Sequence, residues 1–155
     1  MEGWEGLGKR LAELAFDTRH VEHTLQAIGV YAVGSIQKNF EEQGRPKKWS
    51  PLSPVTVALR LRGKRHKSGG GMKILQDSTD LKNSISERVV LGGSESYVAV
   101  GTNKQYARRQ HEGYPGDKSA KLFSGHRPTP ARPFLMLQEE DKPKIAKIVE
   151  RALEK

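Results

Sequence analysis

The chain has 155 residues, enough for one ordinary domain and too few for two well-filled cores. With 35% apolar and 29% charged residues it predicts a modest core with long surface segments, not a wholly disordered chain. The absence of cysteine excludes disulfides and thiolate metal sites, and no apolar run approaches membrane-spanning length.

The formal charge is +9, and its location matters more than its size. Residues 45–73 carry nine Lys and Arg and no Asp or Glu, and the rest of the chain is formally neutral. Such a segment suits nucleic acid, an acidic protein surface, or simply solvent. The N-terminal "MEGWEGLGKR" is interrupted by glutamates and glycines, so a secretory signal is not expected and a cytosolic origin is.

In chain order, Trp4, Leu7, Leu11 and Leu14 recur at helical spacing, and Val21, Leu25, Ile28, Ala32, Ile36 and Phe40 continue it. Asp17 and Thr18 are N-cap residues by type, so two helices are expected, over 4–16 and 19–43. Gly44 is expected to end the second in the left-handed conformation. Ser53 before Pro54 reads as an N-cap and first helical position, giving a short helix over 54–62. "GKRHKSGGGMK" cannot bury a core, and residues 62–73 are expected to be a flexible basic loop.

Order is expected to return over 74–137. "STDLKNSI" reads as a helical turn capped by Ser78 or Thr79. "ISERVVL" and "SYVAVGT" flank "GGSE" and read as a hairpin. "QYARRQHEG" has a helical look up to Gly113, and residues 114–130 read as loop. "ARPFLML" reads as a strand, with Pro133 marking an edge. Residues 139–154 form a closing helix whose apolar stripe is Ile145, Ile148, Val149, Ala152 and Leu153. The fold class expected is α+β. A single domain holds a small antiparallel sheet of three or four strands against the long N-terminal-half helix and the C-terminal helix.

The chemical candidates are thin. His111 and Glu112 are adjacent, so a helix points them about 100° apart, a poor acid–base geometry. No nucleophile elbow or zincin helix accompanies them, and a hydrolase at His111 is only a distant alternative. His20 and His23 share a helix face, but no further zinc ligands are signposted. "GKRHKSGGG" has the wrong order for a phosphate-cradling loop, and "QGRPKK" only superficially resembles a minor-groove hook. Trp49 stands as the sole aromatic ring of Phe, Trp or Tyr type in the basic stretch, which argues against a single-strand stacking platform.

Four motifs stand together in order: "FEEQGRPKKWSPLSPVT", "ILQDSTDLKNSI", "VAVGTNKQYARRQHEG" and "PARPFLML". With the closing helix, they resemble the phage virion-morphogenesis, or tail-completion, family, of which the G protein of Mu-like phages is typical. The resemblance spans roughly residues 20–153. Ser78 and Thr79 stand where that family usually has Thr-Gly. It implies a non-enzymatic assembly protein of the virion, without cofactor, completing the tail or joining it to the head. Its partners would be other tail or neck proteins and further copies of itself in a ring, and no membrane. Within that reading Tyr106, Arg132, Pro133 and Phe134 are the expected subunit interface. The alternative is a nucleic-acid-binding protein using residues 45–73. In either case Arg60, Arg62, Lys64, Arg65 and Lys67 are the expected contacts to DNA or to an acidic partner.

Overall fold

The periodic apolar residues from Val21 to Phe40 build one 24-residue helix, α1 (Thr18–Glu41). The computed structural model describes residues 6, 18–62, 72–92, 95–116 and 128–154. The helix expected over 4–16 (save residue 6), residues 63–71 of the basic loop, and residues 93–94 and 117–127 lie outside them. After α1 come α2 (Pro54–Leu61), a single turn α3 (Asp80–Asn83), β1 (Ser86–Val90), β2 (Tyr97–Gly101), α4 (Ala107–Glu112) and α5 (Lys142–Leu153). These elements divide into two compact units, with α1 running from one to the other at Ser35 and Ile36.

The first unit contains α1 up to Ser35, the β1–β2 hairpin and the chain from Leu137 onward. Val21, Leu25 and Ile28 of α1 meet Ile145 and Val149 of α5, and Val89 and Val98 of the hairpin pack against this cluster. Stripes at three- and four-residue spacing on both helices make that contact, since only those positions share a helix face. The strands pair antiparallel from Ser86↔Gly101 to Val90↔Tyr97. Among the described residues the sheet has these two strands, where three or four were expected.

Gly29 sits where α1 approaches the hairpin. A Cβ there would lie 2.8 Å from Val98 Cγ2 and 2.9 Å from Glu87 Cβ, whereas a Cβ on Gly34 would meet nothing within 4 Å. The two glycines should therefore respond oppositely to alanine. Gly34→Ala removes a helix-interior glycine from an exposed site and is expected to stabilise by about 1 kcal/mol. Gly29→Ala gains the same propensity but forces helix and strand apart, for a net loss of roughly 1 kcal/mol. Urea unfolding of the two variants should show midpoints on opposite sides of the parent's.

The expected closing helix begins as a 3₁₀ turn, Glu139–Asp141, before α5. Gln138 and Asp141 cap each other reciprocally, and Gln138 N donates to Asp141 Oδ2 at 2.7 Å. Asp141 is 1% exposed and also accepts from Tyr31 Oη and Ser35 Oγ, both at 2.6 Å. One buried carboxylate thus ties α1 to the start of α5.

The second unit contains Ile36–Ile85 and, among the described residues after Gly101, 102–116 and 128–136. The end of α1 departs from expectation by one residue. Gln43, with φ 56°, takes the left-handed position, and Gly44 follows with φ 112°. Gln43 N donates to Phe40 O and Gly44 N to Asn39 O, the two bonds of a Schellman cap, so the left-handed residue is the one before the glycine. A Cβ on Gly44 would meet Lys47 O at 2.5 Å and Trp49 N at 2.6 Å. The glycine is thus required by the chain doubling back, which seats Trp49 against Phe40.

Among the described residues, Phe40, Trp49, Ile74, Leu81, Ile85, Ala107 and Phe134 are the buried apolar side chains of this unit beside Ile36. Phe40 meets Trp49 edge-on at 5.6 Å and Phe134 at 5.3 Å between ring centroids, in the tilted geometries aromatic pairs prefer. The expected strand over 131–137 does not form. Side chains, not a neighbouring strand, take up backbone groups here. Trp49 Nε1 donates to Pro133 O, Asn39 Nδ2 to both Phe134 O and Met136 O, and Leu135 N donates to His111 Nδ1. A ladder would compete for those same carbonyls and that amide. Among the described residues the one bridge nearby is Tyr114↔Thr129.

The cap of α3 is Thr79, as one of the two expected residues, but its side chain does not close the helix end. Its φ is 59°, a left-handed conformation costly for a β-branched residue. Glycine would take this conformation without a steric penalty, and the threonine here costs local strain.

Candidate binding groove

Ser53 and Pro54 start α2 as their types demand. Ser53 Oγ accepts from Thr56 N at 3.2 Å, and Pro54 occupies the first turn where no N–H is needed. The helix then presents Ser53, Thr56 and Arg60 along one side, at spacings of three and four. These side chains form one wall of an open groove of about 680 Å³ within the second unit. Leu75, Asp77 and Asp80 add a second wall, and Tyr106, Gln110 and Arg132 a third, with the chain at Pro128–Pro130.

The groove's charges are uneven in how they are satisfied. Arg60 Nε lies 3.5 Å from Asp77 Oδ1, and Arg60 Nη1 donates to Lys73 O at 2.9 Å. Asp80 accepts from Ser78 Oγ at 2.8 Å. Arg132 is 7% exposed, and its Nε and Nη2 donate to the carbonyls of Ser50 and Pro51. Burial, and then repulsion from Arg60, pull its pKa below the usual guanidinium range. Tyr106 shifts the other way: its phenol is pushed up by burial and by the negative charge of Asp80.

Two of the four residues expected at a subunit interface are interior. Phe134 is fully enclosed between Phe40 and the His111 ring, and Arg132 is turned inward onto the backbone of residues 50 and 51. The reason is the fold of 131–137, which runs through the unit and not along a free sheet edge. Tyr106 and Pro133 are exposed. Of the expected basic contacts, Arg62 is exposed, while Arg60 is directed to Asp77 and Lys73. Lys64, Arg65 and Lys67 lie outside the described residues.

His111 acts in the architecture. Its Nδ1 accepts from Leu135 N at 3.3 Å and its ring meets Phe134 edge-on at 5.3 Å. Its neighbour Glu112 points away and pairs with Arg108 on the exposed side of α4. His20 and His23 are both exposed on α1, and among the described residues no three His, Cys, Asp or Glu converge. No described helix is long and apolar enough to cross a membrane.

Sequence reasoning missed Asn39 and Gln110. Asn39 is 0% exposed, donates to two carbonyls of the 134–136 segment and accepts from Arg45 Nε. A polar residue on the apolar stripe between Ile36 and Phe40 was the available signal. Gln110 O accepts from Arg132 N at 2.9 Å, a long-range bond with no sequence signature.

No significant match is found among curated proteins or among solved structures. The sequence profile of the phage virion morphogenesis family, however, matches residues 3–154. That match takes in all four ordered motifs and the elements they build, from α1 through the groove to α5, and on it the chain belongs to the phage virion morphogenesis family.

Proposed function

We propose that this protein is a non-enzymatic assembly factor that completes the phage tail or joins it to the head through protein–protein contacts. Family membership supports a structural and assembly role in the virion. The observation that carries the contact reading is α2. It has no buried residue, and it holds Val55, Leu59 and Leu61 outward at 48%, 55% and 72% exposure. Apolar side chains gathered on one exposed element mark interaction surfaces more often than isolated ones do. Tyr106 and Pro133 extend the exposed surface available to a partner, whether another copy in a ring or a different tail or neck protein. Residence in the virion, after assembly in the host cytoplasm, follows from that role.

The test is genetic and visual. Lysates of the phage carrying a disrupted copy of this gene should contain heads and tails that are unjoined or incomplete by electron microscopy. Supplying the protein in trans should restore infectious particles. Normal numbers of complete particles without it would remove the assembly role.

A further inference from the structure

The groove holds a charge that its own fold leaves unmatched. The three bonds from Arg132 to the carbonyls of Ser50 and Pro51 measure 3.2, 3.2 and 3.3 Å, at the long end for charge-assisted contacts. Among the described residues no carboxylate pairs with it, and Nη1 keeps two further N–H donors. Asp77 and Asp80 share the groove but are directed to Arg60 and to Ser78. A buried guanidinium without a carboxylate partner is costly, and an arriving carboxylate offsets that cost through charge-assisted hydrogen bonds from the two N–H groups of Nη1.

We infer that this groove receives an extended, carboxylate-bearing segment of a partner protein, its carboxylate seated on Arg132 and its apolar side chains against Tyr106. This deepens, and rests on, the reading of the protein as an assembly factor. The groove walls themselves choose the ligand class. Two arginines and two aspartates leave them formally neutral, which disfavours a polyanion such as DNA and suits a single carboxylate among apolar groups. The volume, about 680 Å³, accommodates a few residues of extended chain.

The test uses the purified full chain and three labelled probes in fluorescence anisotropy. These are a short leucine-rich peptide with a single central Glu, the same peptide with Gln in place of that Glu, and a DNA duplex. The Glu peptide is expected to bind roughly tenfold more tightly than the Gln peptide. Gln110→Glu, which sets a carboxylate in the groove, should weaken Glu-peptide binding, and Gln110→Lys should strengthen it, both with unchanged thermal melts. Arg132→Gln, measured below its own melting temperature, should abolish the discrimination between the peptides. Equal affinity for the two peptides overturns the inference, as do the same response from both Gln110 variants and displacement of the Glu peptide by duplex DNA. Particle completion by Gln110→Glu keeps the two readings apart. A variant that no longer binds the Glu peptide yet completes particles sinks the groove and leaves the assembly role standing.

Discussion

Arg132→Glu is expected to unfold the protein or to lower its melting temperature by roughly 10 °C or more. The residue is 7% exposed, and its guanidinium fastens Ser50 and Pro51 to the chain at 132. Glutamate would direct a buried negative charge at those carbonyl oxygens and strip them of their donors. Breaking a buried charged contact in this way costs about 3–5 kcal/mol, against a whole stability of about 5–15 kcal/mol. Arg132→Lys keeps the charge but loses the fork, so its loss should be smaller. Circular-dichroism melts of the two variants against the parent check both the size and the order. A glutamate variant that melts with the parent would place the side chain at the surface. Read from sequence alone, the same substitution would be expected to leave the fold intact and harm assembly only. The buried position reverses that expectation.

Asp141→Ala should be nearly as damaging in the first unit. Its carboxylate accepts from Tyr31 Oη, Ser35 Oγ and Gln138 N, and it is 1% exposed. Hydrogen bonds to a charged group contribute about 1.5–3 kcal/mol each, and a buried donor left without a partner costs about 1–3 kcal/mol. Tyr31 is half-buried and open to water, whereas Ser35 is 4% exposed and loses a charge-assisted bond in a site closed to water. A loss of about 3–5 kcal/mol follows for alanine. Asp141→Asn keeps one carbonyl oxygen for Gln138 N and should lose about half as much. Urea unfolding measures both. A change for alanine within about 0.5 kcal/mol of the parent, the size of an ordinary surface substitution, would mean that α1 and α5 are not joined through this carboxylate.

Local physics made much of this architecture readable in advance. Apolar spacing and the cap residues Asp17 and Thr18 pointed to a helix over 19–43, and α1 occupies Thr18–Glu41, because a helix face repeats every three or four residues whatever it packs against. Ser53–Pro54 marked the start of α2, since capping is settled within one turn. The hairpin was legible from two β-rich runs around a glycine-containing turn, and the order of four motifs identified the family.

Long-range hydrogen bonding decided the rest. The segment 131–137 looks like an edge strand because Pro133 and a short apolar run fit one, yet its polar backbone is met by Asn39, Trp49 and His111. Those partners stand 24 to 97 residues away in the chain, beyond any local pattern. His111 beside Glu112 suggested chemistry; only its place against Leu135 N and Phe134 shows a bracket for the backbone. At the end of α1 Gln43 takes the left-handed cap position, and Gly44 follows, also at positive φ, where the returning loop at Lys47–Trp49 leaves no room for a side chain. By itself the sequence determined which faces are apolar and where helices begin. Which polar groups meet across the fold, and hence that Arg132 is buried beside an open groove, was decided by tertiary structure, because hydrogen-bond partners are chosen by proximity in space.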